Sequence, residues 1–170
     1  MHMTHYWPSL LAMLFCIVMS AFFSASETAF SSLSRTRLQV LAEAGNRKAL
    51  LTLKLSENYD KLLSTILIGN NIVNITATTI GTVLFTKLFQ EYGPTISTVV
   101  LTLVVLIFGE ISPKSIAKEN AESFAMFSAP LLRVLLVILR PLNFLFTQWK
   151  RLLNLVFRPS GDPGITEEEL

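Results

Sequence analysis

The feature that most constrains this chain is an uncharged apolar run that ends at a carboxylate, a proline and a lysine. The run extends from Ile96 to Phe108 and is followed by Gly109-Glu110-Ile111-Ser112-Pro113-Lys114. With the polar residues after it, the run is long enough to cross a bilayer. A carboxylate costs roughly 2.5–3.5 kcal/mol at the centre of a membrane helix, and a proline inside a helix costs about 3 kcal/mol. A membrane segment that carries both at one place is predicted to hold a functional polar site.

Pro113 has a specific consequence for the backbone. In an α-helix each N–H donates to the carbonyl four residues back, so a proline at this position leaves the Gly109 carbonyl without a partner. Gly109 has no side chain to cover that oxygen, and Glu110 follows it directly. A free carbonyl beside a carboxylate is an oxygen pair suited to a hard cation. The alternative is that Pro113 ends the helix at the membrane surface, with Glu110 and Lys114 paired four residues apart.

The composition indicates one integral membrane domain. Of the 170 residues, 51% are hydrophobic and only 15% are charged, against a charged share of about 25% in soluble domains. The net charge of +2 is too small to indicate a nucleic-acid partner. His2 and His5 lie at the extreme N-terminus and Cys16 lies in an apolar run, so no Ser-His-Asp or Cys-His set is available. We therefore expect that the chain is not an enzyme.

Three transmembrane helices are predicted, at about residues 7–30, 62–89 and 95–116. Arg35 and Arg37 follow the first of them, and no basic residue other than histidine precedes it. The positive-inside rule then places the N-terminus outside and the C-terminus in the cytosol. A competing interpretation of the first run is a secretory signal peptide, with a small-residue cleavage site just before its end.

The charged segments between and after the spans are predicted to stay on the cytosolic side. Residues 35–61 indicate a short cytosolic helical hairpin that turns at Gly45-Asn46. Residues 121–157 are apolar but are interrupted by Pro130 and Pro141. We interpret them as a kinked amphipathic juxtamembrane belt at the inner interface, and a fourth span is the alternative.

The chain is interpreted as a transmembrane domain over residues 1–158 and a linker over residues 159–170. The linker contains proline and glycine, and Thr166 stands three residues ahead of Glu169. This spacing is typical of a capping box at the start of a helix. We expect the linker to lead into a cytosolic region that this sequence lacks.

Two of the predicted spans carry polar faces at helical spacing: Ser20, Ser24 and Glu27 on the first, and Asn70, Asn74 and Thr78 on the second. A rise of about 1.5 Å per residue places both faces and Glu110 in the inner half of the membrane. Taken singly, such serines and asparagines more often join membrane helices to one another. Together their hydroxyl, amide, carbonyl and carboxylate oxygens suit Mg²⁺ or Ca²⁺ and argue against zinc and copper.

Three motifs in this order resemble the transmembrane domain of the CorC/CNNM (cyclin M) family: Ser20-Ala21-Phe22-Phe23-Ser24-Ala25-Ser26-Glu27, Gly69-Asn70-Asn71-Ile72-Val73-Asn74 and Phe108-Gly109-Glu110-Ile111-Ser112-Pro113-Lys114. The resemblance covers essentially the whole chain. It implies a homodimer of three-span protomers in a bacterial inner membrane, and magnesium export driven by sodium entry. It also implies that the full-length chain continues into cytosolic CBS domains that bind ATP.

The resemblance also implies the residues of a Mg²⁺ site. Its expected ligands are Ser24, Asn70, Glu110 and the carbonyl of Gly109, followed by Ser20 and Asn74. The expected coupling or gating residues are Glu27, Pro113 and Lys114. Glu27 is interpreted as serving sodium coupling or the electric field of the site, and Lys114 as pairing with a carboxylate.

The function predicted from these observations is magnesium transport by alternating access, with a kink at Gly109–Pro113 that helps to expose the site outward. One alternative is a transporter of another cation, such as Na⁺, Ca²⁺ or Co²⁺, that uses the same oxygen ligands. The other is a membrane module that senses cytosolic ligands and regulates a partner without transporting an ion.

Overall fold

The computed structural model describes residues 6–157. These residues form helices and short connections, and no strand occurs among them. The helices are α1 (Trp7–Ser32), α2 (Arg35–Glu43), α3 (Arg47–Glu57), α4 (Tyr59–Phe89), α5 (Gly93–Val104), α6 (Ser112–Glu119), α7 (Ala121–Ile138) and α8 (Arg140–Val156). A 3₁₀ turn (Gln90–Tyr92) joins α4 to α5, and a π-helical segment (Val105–Ile111) joins α5 to α6. The predicted all-α fold is confirmed for this part of the chain, and the predicted linker over residues 159–170 lies outside it.

Three described stretches are long and apolar enough to cross a membrane, as judged by length and composition: Trp7–Ser32, Tyr59–Glu119 and Ala121–Ile138. The second is 61 residues long and contains the second and third predicted spans, which are separated by a turn at Gln90. The third stretch is α7, for which the sequence left both a belt and a fourth span open. Three stretches are found and three spans were predicted, but the two sets differ. Two of the predicted spans fall in the second stretch, and the third stretch was not among the predicted spans.

Helix α1 is the element against which the rest of the fold packs. It begins with Pro8 in its first turn, where the missing N–H costs no helical hydrogen bond. It ends at Ser32 because Leu33 adopts an extended backbone. The buried residues of its second half are mostly small: Ser20, Phe23, Ser24, Ala25, Ser26, Ala29 and Phe30. Because small residues let helices approach closely, α4, the π segment, α6 and α7 all contact α1.

Helices α2 and α3 form the predicted hairpin. Gly45 has a φ of 93°, a left-handed conformation that glycine adopts without strain. Asn46 then caps α3, since its side-chain oxygen accepts hydrogen bonds from the N–H groups of Lys48 and Ala49 at 3.0 and 3.2 Å. The turn was predictable from sequence because both signals are local.

Helices α4 and α5 run back along each other as a second hairpin. Gln90, with a φ of 53°, turns the chain. Gly93 lies so close to α4 that a Cβ atom there would be 2.4 Å from the Cα of Thr86. Further along, the hydroxyl oxygens of Thr82 and Ser97 lie 3.4 Å apart and share a hydrogen bond. The close approach ties the end of α4 to the start of α5.

Helices α7 and α8 form two separate rods. Pro130 lies inside α7 without ending it, while the break falls at Leu139 and Pro141 occupies the first turn of α8. The buried side of α7 joins a core with α1, α4 and α6, made of Phe23, Ala25, Ala29, Phe30, Leu62, Ile66, Ala117, Ala125, Ala129 and Leu132. Helix α8 has one buried residue, Asn143, whose Nδ2 donates to the Thr65 Oγ1 at 2.8 Å. Its placement against a membrane, as a belt or beyond a fourth span, stays a prediction.

Candidate functional site

Three helical elements meet at Ser20, in the second half of α1. The Ser20 side chain is fully buried, and its Oγ donates a hydrogen bond to the Asn70 Oδ1 on α4 at 3.1 Å. From the π-helical segment, Gly109 packs against the same hydroxyl, so closely that a Cβ atom on Gly109 would lie 2.9 Å from the Ser20 Oγ. The structure therefore brings together one predicted ligand residue from each of the three polar clusters.

Glycine at position 69 sets the approach of α4 to α1. A Cβ atom on Gly69 would lie 2.4 Å from the ring of Phe23, so any side chain there would require this buried ring to move. Because Asn70 follows Gly69 directly, this close packing also holds Asn70 within reach of Ser20. Gly69 belongs to one of the three motifs, but this packing role was not predicted from the sequence. A small residue beside a polar one on a membrane helix is the signal that predicts it.

Two buried oxygens near this point have no hydrogen-bond partner among the described residues: the Oγ of Ser24 and the Oδ1 of Asn74. The Nδ2 of Asn74 does donate, to the Asn70 Oδ1, but over a long 3.4 Å. A buried acceptor without a partner costs about 1–3 kcal/mol. Both oxygens can therefore still interact with a hydrogen-bond donor or a cation. Thr78, the next residue on this face, is exposed and bonds its own helix backbone at 2.8 Å, so the face ends at Asn74.

The segment before Pro113 is a π-helix, and this changes the expected pairing of its carbonyls. The N–H of Ser112 donates to the carbonyl of Ile107, five residues back. In that register, Pro113 lacks the donor for the carbonyl of Phe108. The α-helical register that singled out Gly109 is therefore not observed, and the case for Gly109 as a ligand now depends on its contact with Ser20. π-Helical turns inside α-helices occur frequently at functional sites.

Glu110 and Lys114 do not pair with each other. Lys114 Nζ forms an ion pair with the Glu27 Oε2 on α1 at 3.4 Å, and the two side chains are 43% and 31% exposed. Glu110 is half-buried and makes no hydrogen bond or ion pair with another residue of the described chain. Lys114 is instead taken by a partner on another helix, so the alternative pairing is not observed. The Glu110 carboxylate is thus available to a ligand.

These findings can be compared with known proteins. Residues 11–170 match the family model described as the cyclin M transmembrane N-terminal domain, CNNM. The chain belongs to the CNNM family. The resemblance inferred from the three motifs is confirmed.

Relatives of this CNNM domain carry names that agree with a membrane location. A UPF0053 protein of Haemophilus influenzae is 47% identical over 133 residues, which cover 78% of this chain and 32% of that protein. The UPF0053 inner membrane protein YfjD of Escherichia coli is 44% identical over 134 residues, 79% of this chain and 31% of that protein. A more distant relative, the polyamine export protein of Salmonella typhimurium, is 26% identical over 171 residues, 92% of this chain and 38% of that protein. The chain is a membrane protein, and it spans about a third of the length of these relatives.

The candidate site of this CNNM domain offers neutral side-chain oxygens, and Glu110 follows Gly109 directly in the chain. In residues 6–157, no three His, Cys, Asp or Glu side chains come together. The oxygens that meet are the Ser20 Oγ and the Asn70 Oδ1, and Glu110 adds the one charge of the predicted ligand set. Hard cations prefer such oxygens. Buried in an apolar bundle, they can replace part of the hydration shell of a cation.

Proposed function

We propose that this chain is the transmembrane domain of a magnesium transporter that exports Mg²⁺ in exchange for sodium by alternating access. The observation that carries the proposal is the meeting of Ser20, Asn70 and Gly109 at one buried point, beside two buried oxygens without partners. The proposed ligands are the oxygens of Ser20, Ser24, Asn70, Asn74 and Glu110 and the carbonyl of Gly109. Mg²⁺ gives up its water reluctantly and prefers six oxygens, so a site made from three helices supports slow, gated transport.

The proposed gate consists of the π-helical segment and the ion pair beside it. A change from π to α geometry would shift the hydrogen-bond register by one residue, which rotates α6 by about 100° relative to α5. Pro113 stands at the boundary and cannot donate to either register. Lys114 on α6 would move away from Glu27 in that rotation. Sodium that binds the Glu27 carboxylate in place of Lys114 would favour the rotated state, and this is the proposed coupling.

The remaining features of the proposal concern the whole protein. We infer a homodimer in a bacterial inner membrane, with the N-terminus outside and the C-terminus continuing into cytosolic CBS domains that bind ATP. The protein is a transporter in this proposal and performs no enzymatic reaction. These inferences draw on family resemblance, because the chain covers only 32% and 31% of the first two relatives described above.

A second candidate function is export of an organic polycation, and the name of the Salmonella relative favours it. A polyamine donates hydrogen bonds along its length, and the unpartnered oxygens of Ser24 and Asn74 would accept them. The two candidates differ in the number of ligands that must converge. Mg²⁺ needs several oxygens around one point, whereas a polyamine needs them in a row.

A calorimetric titration with Mg²⁺ tests the proposed site. Glu110→Gln and Asn70→Ala are each expected to weaken Mg²⁺ binding by at least about tenfold, since even indirect partners of metal ligands contribute that much. Glu119→Gln and Asn71→Ala are the matched controls, because both residues are exposed, and they are expected to bind as the wild type does. Unchanged affinity in both site variants would overturn the assignment of the site.

Flux into liposomes tests the function itself. When a sodium gradient is imposed, reconstituted protein is expected to move Mg²⁺ in the direction opposite to the flow of sodium. Glu110→Gln is expected to abolish this flux. Spermidine flux that survives while Mg²⁺ flux is absent would favour the polyamine candidate. A protein that binds Mg²⁺ but moves no cation would indicate a regulatory module instead.

A further inference from the structure

A basic cavity lies where the junction of α3 and α4 meets the junction of α7 and α8. Its volume is about 250 Å³. Four helices each contribute one cationic side chain to its lining: Lys54 from α3, Lys61 from α4, Arg133 from α7 and Arg140 from α8. No aspartate or glutamate of the described chain lines this cavity. It is separate from the proposed cation site and has the opposite charge preference.

The four cations have no partner among the residues that the structure describes. None of them forms an ion pair or a side-chain hydrogen bond with another residue between 6 and 157. By contrast, the neighbouring Lys150 pairs with Asp60 at 3.3 Å, and Arg35 donates to the carbonyl of Ser56 at 3.0 Å. Like charges around one cavity repel each other and attract anions into it. The expected ligand therefore carries a negative charge.

A second cavity of about 810 Å³ adjoins the first and shares Asn58, Lys61 and Arg140 with it. Asn143 lines this second cavity and is only 4% exposed, and its Oδ1 has no partner among the described residues. An amide oxygen accepts hydrogen bonds only. The ligand is therefore expected to carry a donor, such as a hydroxyl group, next to its anionic group.

The surroundings favour a lipid over a soluble anion. Lys61 is the last charged residue before an uncharged stretch that extends to Lys87, so the cavity lies at the edge of the apolar layer. Leu55, Leu136 and Val137 also line the cavity, and Val137 is 60% exposed. Apolar side chains that extend from the cavity lining to the exposed surface provide a path for acyl chains. Basic pockets between helices at this depth are suited to acidic headgroups.

The geometry points to a binding site for an anionic phospholipid whose headgroup carries hydroxyl groups, of which phosphatidylglycerol is an example. The phosphate lies among the four cations, a headgroup hydroxyl donates to Asn143 Oδ1, and the acyl chains follow the exposed apolar residues of α7. This lipid would join the four helices at the membrane surface. The inference does not depend on the proposed transport of magnesium.

Fluorescence quenching in nanodiscs tests the site. The chain has two tryptophans, so Trp7→Phe leaves Trp149 as a single reporter on α8, beside Gln148 and Lys150 of the larger cavity. Phosphatidylglycerol with brominated chains is expected to quench Trp149 at a lower mole fraction than brominated phosphatidylcholine. In a Lys61→Gln/Arg133→Gln variant, that preference is expected to fall by roughly 30-fold.

Three controls make the test decisive. Arg47→Gln/Lys48→Gln removes the same charge from exposed residues outside both cavities and is expected to keep the preference. Arg133→Lys keeps the positive charge and is also expected to keep the preference for phosphatidylglycerol. Millimolar inorganic phosphate is expected to leave the quenching unchanged. Equal quenching by both lipids, an equal loss in the Arg47/Lys48 variant, or displacement by inorganic phosphate would each overturn the proposal.

Discussion

At the scale of single residues, two serines on α1 show what separates a structural hydroxyl from a candidate ligand. Ser24 and Ser26 are both buried, at 1% and 0% exposure. The Ser26 Oγ donates to the carbonyl of Phe22 at 2.7 Å, which satisfies it within its own helix. The Ser24 Oγ has no such bond within the described chain. A ligand can therefore bind the Ser24 Oγ without breaking a hydrogen bond of the fold.

This difference predicts opposite effects on stability and binding. Ser24→Ala is expected to stabilise the magnesium-free protein by about 1 kcal/mol, since it removes a buried oxygen without a partner. The same change is expected to weaken Mg²⁺ binding. Thermal unfolding in detergent, with a chelator and with Mg²⁺, measures both effects. Ser26→Ala is the control and is expected to leave the Mg²⁺-dependent shift in Tm unchanged; a Ser24→Ala variant that is destabilised in chelator would contradict the prediction.

At the scale of elements, α8 is attached to the bundle at few points. Asn143 is its single buried residue in the described chain, and its bond to Thr65 is buried. The ion pair between Lys150 and Asp60 adds little, because both side chains are largely exposed. Most of the remaining surface of α8 is exposed, including large apolar residues such as Phe144 and Trp149. The helix is therefore expected to detach more readily than α4 or α7.

Removal of the Asn143 anchor is expected to loosen α8 alone. Thr65→Val removes the acceptor of the Asn143 Nδ2 and so loses one hydrogen bond of about 1 kcal/mol, which should speed amide hydrogen exchange in α8 by about fivefold. Exchange in α4 should not change. The measurement is mass-spectrometric exchange in phospholipid-free detergent, with Thr147→Val as the control, since the Thr147 hydroxyl bonds only its own helix. Combining Asn143→Ala with Thr65→Val should add little further effect if the two residues act as a pair.

At the scale of the whole molecule, basic residues gather at one end of the bundle. Within residues 6–157, the α2–α3 hairpin, the α3–α4 junction and the α7–α8 junction all carry lysine or arginine side chains without an ion-pair partner. The turn from α4 to α5 carries Glu91 and is preceded by one lysine, Lys87. The positive-inside rule assigns the basic end to the cytosol. On this basis we predict that α7 lies at the inner interface as a belt, because a fourth span would place Lys150 and Arg151 outside.

Cysteine labelling tests this topology. In a Cys16→Ser background, Glu91→Cys is expected to react with an impermeant reagent from outside. Glu43→Cys and Gln148→Cys are expected to react only after the membrane is opened. All three positions are exposed in the structure, so a failure to react reports the membrane and not burial. Labelling of Gln148→Cys from outside would show that α7 crosses the membrane and that the belt interpretation is wrong.

The family, the helical class and the turn at Gly45 and Asn46 followed from the sequence alone. Apolar runs and turn residues act through near neighbours in the chain, so their consequences do not depend on the rest of the fold. The types of oxygen at the candidate site were also predictable, because a polar residue inside a membrane helix is energetically costly and usually has a function. Ser20 and Asn70 shared a predicted layer, and the structure joins them by a hydrogen bond.

Only the tertiary structure decided the details that give the site its shape. The π register around Gly109 and the pairing of Lys114 with Glu27 both depend on how this segment packs against α1. The basic cavity likewise combines side chains that are far apart in sequence. A prediction from residue spacing assumes that the segment is a regular α-helix and that a charged side chain pairs with another on the same helix. Contact with a second helix can change both, since a close-packed interface favours whichever register lets the two backbones approach.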